Sequence, residues 1–347
     1  MQNIKKRLKS HGIALVEKHG PELIEKFGNF IVPLLLDFKN EKDQLLVFYF
    51  HGLFDSIKQK DLNYIDPQNN MTVSQFVNFI EYFLKHKYKF IKPEDLLGGL
   101  KNDRPYAMIT FDDGYFNNML AIEVLNNYKI PAVFFITTNN IKEDKSFWWD
   151  IIYKFRTKQG SSLEAIRNEQ GSLKSFKHTY IDDYIVQNFG IEAFKPWSDI
   201  DRPFNESEVK NLSKSPYISF GNHTHNHSIL TNYNKEEIKE ELRESNNILF
   251  DLTGTLPIAI AFPNGNYNKL VLEATEEVGL RYGFTTESKK NLLPIEPQNF
   301  ICLSRFMTNG TKINKFGSFC RFGYDPELFY NDFKVKVKSG RLKRKWF

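Results

Sequence analysis

Short, unbroken apolar runs recur along this chain between stretches with helical patterning, and they restrict its fold more than any other feature. Leu45-Leu46-Val47-Phe48-Tyr49-Phe50 ends in His51-Gly52, Tyr106 to Phe111 is a second run, and Ala132 to Thr138 is a third. A strand that is apolar on both faces is buried on both faces, which is the state of strands in a parallel sheet covered by helices. Tyr88 to Ile91, Tyr217 to Phe220, Ile258 to Phe262, Tyr282 to Thr285 and Phe300 to Leu303 add further strand expectations. Helices are expected between them. Thr72 with Gln75 resembles a capping box opening a helix through Phe76, Phe79, Ile80 and Phe83. Pro93-Glu94-Asp95 starts another, and residues 116–128, 234–252 and 267–279 continue the series. Strands separated by helices imply a parallel α/β sheet, and this many units favours a barrel over a two-layer sandwich.

The alternation fits residues 44–310 and lapses over 141–216 into a polar, helix-prone insert that holds Trp148, Trp149 and Trp197. Residues 1–43 read as an N-terminal helical extension, with Pro21 as the first residue of a helix carrying Leu23, Ile24 and Phe27. Residues 311–347 read as a C-terminal extension with a basic tail. The net charge is +5, yet Lys334, Lys336, Lys338, Arg341, Lys343, Arg344 and Lys345 carry seven positive charges, so the rest is near −2. That balance argues against a nucleic-acid surface. The tail reads as a solvated end, with peripheral contact to an anionic membrane face as the sharper alternative. Cys302 and Cys320 alone make neither a disulfide framework nor a thiolate metal site. No apolar core and cleavage site of a secretory signal follow the basic residues near the start. The expectation is a cytoplasmic, or membrane-peripheral, protein.

Two segments carry the chemistry. Thr110-Phe111-Asp112-Asp113-Gly114 ends a strand run, and His223-Thr224-His225-Asn226-His227 closely follows another. A carboxylate and two imidazoles suit a divalent ion whose remaining position is left to water, with a second carboxylate beside them to take a proton. His51 and Pro263-Asn264-Gly265 also fall just after strand patterns. Active sites of α/β barrels are built at the carboxyl ends of several strands, so these segments read as one site. The expected class is a metal-dependent hydrolase.

At these residues the chain resembles the polysaccharide deacetylases, carbohydrate esterase family 4 with its NodB-homology domain. The two motifs carry the likeness, Ala261-Phe262-Pro263-Asn264-Gly265 is similar to a third family segment, and the resemblance runs from about Gln44 to about Phe306. It implies a distorted, TIM-like (β/α) barrel of the seven-stranded type. It also implies Zn²⁺ or a related ion (Co²⁺, Ni²⁺ or Mn²⁺) and hydrolysis of N-acetyl or O-acetyl groups on sugars. Asp113, His223 and His227 take the place of the ligands and Asp112 that of the general base. A backbone N–H in Pro263, Asn264 and Gly265 would face the oxyanion. The departing amine needs an acid, but no His follows His227, where many relatives supply one. His51 resembles the early strand-end His of some branches and is the expected acid; a structural His under the site is the alternative. The third segment lacks the Arg that orients the base in many relatives, so Arg305 is expected to tether Asp112. His225 points elsewhere, to a supporting or surface role. Trp148 and Trp149 are read as packing, with a sugar platform as the sharper alternative.

The leading expectation is therefore a deacetylase of an amino sugar in a polysaccharide or its precursor. An amidohydrolase of a small non-sugar amide and a carbohydrate-binding barrel without turnover are the competing readings.

Overall fold

The computed structural model describes residues 41–67, 71–295, 300–308, 310 and 312–322. Residues 1–40 of the expected N-terminal extension and the basic tail lie outside these residues. Twelve strands are described: β1 (Gln44–Phe50), β2 (Leu53–Phe54), β3 (Met71–Thr72), β4 (Lys89–Ile91), β5 (Tyr106–Phe111), β6 (Ala132–Ile136), β7 (Ile218–Asn222), β8 (Ala259–Ala261), β9 (Tyr282–Phe284), β10 (Asn291–Leu292), β11 (Ile301–Leu303) and β12 (Phe306–Met307). The path β1-β5-β6-β7-β8-β9-β11 is parallel throughout. β4 joins the start of β5, and β10 lies antiparallel against the start of β1. β11 and β12 are pieces of one segment. β11 pairs with β9 and β12 with β1, so this segment reaches from one edge of the sheet to the other and nearly closes a barrel. Ser304 and Arg305 occupy the step between the two pieces.

Residue parity separates two cores. Leu45, Val47, Tyr106, Met108, Val133, Phe135, Ala259, Ala261, Tyr282, Phe284 and Leu303 form one buried cluster, which fills the barrel. The alternate residues Phe48, Phe50, Phe111 and Phe134 pack outward with Phe76, Phe79 and Phe83 of the helix Val73–Lys85 in a chain of edge and stacked contacts. Each fully buried ring contributes about 1.5–3 kcal/mol. Thr72 and Gln75 form the capping box that starts this helix, and Gln75 also donates to the carbonyl of Gly310 at 2.9 Å. The expected helix at Pro93 is a 3-10 turn, Pro93–Gly98, ended by Gly99 at φ +72°.

The insert between β6 and β7 contains the helices Trp148–Lys158, Leu163–Leu173, His178–Phe189 and Glu206–Leu212. It has a core of its own around Ile151, Ile152, Ile166, Leu173, Ile181 and Ile185. Beside it, Lys154 and Asp201 form an ion pair at 2.7 Å with both side chains fully buried. Asp201 also accepts from the backbone N–H groups of Trp197 and Ser198, which satisfies the lone pairs such burial would otherwise strand.

Contacts along the chain set the barrel and its insert, Lys42–Thr311, apart from a second unit that includes the helix Ile313–Phe322, where Arg321 pairs with Glu41 at 2.7 Å. Among the described residues no helix is long and apolar enough to cross a membrane.

Candidate active site

The end of β5 sets up two carboxylates with opposite orientations. Asp112 continues the strand, its N–H donating to Phe50 O at 2.9 Å, and so stays on the inward row with Thr110. Asp113 then turns with φ +73°, a left-handed conformation uncommon for a non-glycine residue. Gly114 follows at φ +92°, where an added Cβ would lie 2.9 Å from Ile136. The turn thus sends adjacent carboxylates to different partners.

The His segment is shaped by side chains outside it. Asn222 ends β7, accepts from the Thr224 N–H at 2.7 Å, and donates to Leu242 O and Asn246 Oδ1 of the helix Lys235–Thr253. Glu241 of that helix accepts from the N–H groups of His225 and Asn226 and from the Asn226 amide. Thr224 Oγ1 accepts from Ser228 N–H at 2.8 Å, and both Thr224 (φ +64°) and His227 (φ +51°) are left-handed. Backbone conformations of this kind persist only where surrounding contacts enforce them. Here those contacts bring His223 and His227 to Asp113.

Nε2 of His223 lies 3.2 Å and Nε2 of His227 3.4 Å from Oδ1 of Asp113. One ligand atom from each residue lies within 4.8 Å of the others. His223 Nδ1 lies 2.8 Å from Ala261 O; a carbonyl only accepts, so Nδ1 carries the proton and leaves Nε2 its lone pair in the neutral ring. Both Asp113 oxygens are buried without a hydrogen bond. An orphaned carboxylate facing two imidazole nitrogens fits a divalent cation, and the chemistry of the donors suits zinc or a neighbouring transition metal.

Burial alone would raise the Asp113 carboxyl, but charge on His51 and the facing imidazoles of His223 and His227 hold it well below the usual carboxylate range. The two imidazoles shift in opposite directions. Burial pulls both down; His223 nonetheless ends above its ordinary value because it faces Asp113 and Asp112 and bonds Ala261. His227 ends below it, and its Nδ1 has no partner.

Arg305 is fully buried at the step between β11 and β12 and grips Asp112 with both ends of its guanidinium, at 2.7 and 2.9 Å. It also donates to Thr285 O and Thr110 Oγ1 and lies 4.5 Å from the Tyr49 ring centre. His51 is half-buried with Nε2 3.8 Å from Asp113 Oδ2. In the Pro263–Gly265 turn, Pro263 has no N–H and Gly265 donates to Phe262 O at 2.8 Å. That leaves Asn264, at φ +58°, as the residue of the three whose N–H can face a ligand. Its side chain accepts from Lys174 of the insert at 2.6 Å. His225 turns away and its Nδ1 meets Thr138 Oγ1 at 2.9 Å.

A sugar platform at Trp149 does not survive the structure. Trp149 is buried, with Phe147 stacked on it at 5.0 Å and the His227 ring tilted against it at 4.4 Å, so little of its surface is left to receive a sugar. Its Nε1 donates to Tyr115 Oη, which donates in turn to the buried carboxylate of Asp150 at 2.6 Å. Trp148 is half-buried and packs edge-on against Trp149. Asp150, Tyr115 and Glu241 are supporting residues that sequence reasoning missed; each sits outside the motifs on an ordinary helix or turn.

The sequence matches the polysaccharide deacetylase family over residues 99–283. No curated protein sequence matches the chain. The fold is similar to that of a polysaccharide deacetylase from Bacillus cereus, with TM-score 0.56 and 19% identity over 80% of this chain and 69% of that one. It is similar to the Streptococcus pyogenes deacetylase PplD, solved with acetate, with TM-score 0.54 and 16% identity over 77% and 93% of the two chains. IcaB from Ammonifex degensii gives TM-score 0.54 and 14% identity over 80% of this chain and 97% of that one. With both motifs at the carboxyl ends of the parallel strands and more than half of its length matched, the chain belongs to the polysaccharide deacetylase family.

Proposed function

We propose that this protein removes the acetyl group from an N-acetylated amino sugar within a polysaccharide or its precursor, an O-acetyl ester being the second substrate open to the same chemistry. The observation that carries this reading is the orphaned Asp113 carboxylate facing His223 and His227, with a separately clamped carboxylate next to it in sequence. Asp113, His223 and His227 would hold the ion, with Zn²⁺ first and Co²⁺, Ni²⁺ or Mn²⁺ suited to the same donors. When bound, such an ion supplies Lewis acidity toward the acetyl carbonyl and lowers the pKa of water.

The protein's own groups would do the rest. Asp112 takes the proton of the attacking water as the new C–O bond forms. Arg305 holds both its oxygens and aims the carboxylate. The Asn264 N–H would donate to the oxyanion of the tetrahedral intermediate, a contribution of about 3–4 kcal/mol where such donors have been removed. His51 protonates the amine nitrogen as the C–N bond breaks, since an amide anion is too basic to leave alone. Acetate and a free amino sugar result; acetate is also the molecule bound in the S. pyogenes relative. The test is acetate release from N-acetylglucosamine oligomers by chelator-stripped protein, before and after zinc is restored. Absence of acetate with zinc bound in stoichiometric amount would sink the proposal.

A further inference from the structure

The two imidazoles of the ligand set are supported in different ways. His223 is oriented by the bond from its Nδ1 to Ala261 O at 2.8 Å. His227 has no such bond, because its Nδ1 is buried without a partner. A ligand imidazole is ordinarily held through its second ring nitrogen, which fixes both tautomer and ring direction. Against the His227 ring lie two other rings instead. Trp149 approaches to 4.4 Å between ring centres at a tilt of 52°, and His223 to 4.9 Å.

Trp149, in the first turn of the insert helix Trp148–Lys158, is itself firmly held. Its Nε1 donates to Tyr115 Oη at 2.9 Å, Tyr115 Oη donates to Asp150 Oδ2 at 2.6 Å, and Asp150 Oδ1 accepts from the Asp66 N–H at 2.7 Å. The Trp149 carbonyl accepts from Gln170 at 2.9 Å, and Phe147 packs against both the Trp149 and the Tyr115 rings. Tyr115, Trp149 and Asp150 are all buried. A buried network whose members are paired in this way rigidifies what it holds. Tyr115 is also the second residue after Asp113. The ring beside one ligand is thus bonded to the turn that carries another.

On the reading of Asp113, His223 and His227 as ligands, we infer that Trp149 is a positioning residue for His227, anchored by Tyr115 and Asp150. An imidazole without a hydrogen bond can turn about its χ2 angle, for which the preference is broad. A large, fixed ring against it removes that freedom in advance, so less ordering is left to the binding step. The insert therefore raises the affinity for the ion without supplying a ligand to it.

Zinc affinity is measured on the full chain by competition with a chelating dye, and the visible bands of the cobalt-loaded protein are recorded. The proteins are the parent, Trp149→Leu, Trp149→Phe, Tyr115→Phe and Ile185→Ala. Trp149→Leu removes the ring and should weaken zinc by about 10–100-fold and shift the cobalt bands. Trp149→Phe keeps a ring against His227 and should recover most of that loss. Tyr115→Phe cuts both hydrogen bonds of the hydroxyl and should weaken zinc by about 2–10-fold. Ile185→Ala opens a hole in the insert's own core, so it should lower the melting temperature and leave zinc affinity and cobalt bands unchanged. Parent-like affinity in Trp149→Leu, or an equal loss in Ile185→Ala, overturns the positioning role. Should Trp149→Leu fail to fold, parent-like affinity and cobalt bands in Tyr115→Phe overturn it instead. A parent that binds no zinc overturns the ligand reading itself. A parent whose zinc binding depends on Trp149 but which releases no acetate overturns the proposed reaction and leaves the positioning role standing.

Discussion

At the scale of single residues, the arrangement separates holding a proton acceptor in place from holding an ion. Asp112 and Asp113 are adjacent, yet one faces a guanidinium and the other two imidazoles. Asp112→Asn should therefore lower kcat by about 10²–10⁴-fold while zinc content stays stoichiometric, as a general base requires. Loss of zinc from that variant would show that Asp112 is a ligand. Arg305→Lys keeps the charge but not the two-pronged grip on Asp112, and kcat should fall by about 10–100-fold with little change in KM. Restored activity in the Lys variant would show that charge alone suffices. Cys302 gives a different check. Burial, followed by the charge of Glu287, pushes its thiol up to about 11, so the neutral form dominates below that pH. Alkylation by iodoacetamide, read by mass spectrometry, should be slow at pH 8 and rise about tenfold per pH unit without a plateau before pH 10.

At the scale of elements, what the sequence discloses depends on where information is concentrated. β1, β5 and β6 are buried along their whole length, so continuous apolar runs mark them plainly. The ligand positions are legible because Asp112-Asp113 and His223 to His227 are contiguous strings at strand ends. β12 is only two residues long, and no periodicity can announce it; yet its pairing with β1 is what swings Arg305 under Asp112. Glu241 is hidden for another reason. On the helix Lys235–Thr253 it is one acid among many, and only the fold shows it buried beneath the His segment, accepting two backbone N–H groups. The same blindness let Trp148-Trp149 suggest a sugar platform, since a sequence shows an aromatic pair but not which faces are covered. Glu241→Ala should loosen the segment that carries both imidazoles and weaken zinc binding by about 10–100-fold, measured by competition with a chelating dye. An unchanged zinc affinity would mean that the backbone of the segment holds without it.

At the scale of the whole barrel, the three ligand positions come from the ends of β5 and β7, which lie on either side of β6. An ion held by them would join strand ends that are far apart in sequence, so its binding should be read in global stability as well as in activity. Without an ion, Asp113 is a buried carboxylate whose oxygens bond nothing and whose ionised form rests on nearby imidazoles. Ligand binding to the native state alone adds about 2.7 kcal/mol at a hundredfold excess over Kd. For a domain of this size each kcal/mol moves Tm by about 2–4 °C, so stripping the protein should lower Tm by about 5–10 °C and zinc should restore it. Asp113→Asn supplies the control that distinguishes a bound ion from general stabilisation by metal salts. The amide carries no charge that burial penalises, so the stripped variant should melt within a few degrees of the stripped parent, while added zinc should move it by less than about 1 °C. A variant that gains as much from zinc as the parent would show that the ion binds elsewhere. One that collapses even when stripped would show that Asp113 is needed to hold the strand ends together before any ion arrives.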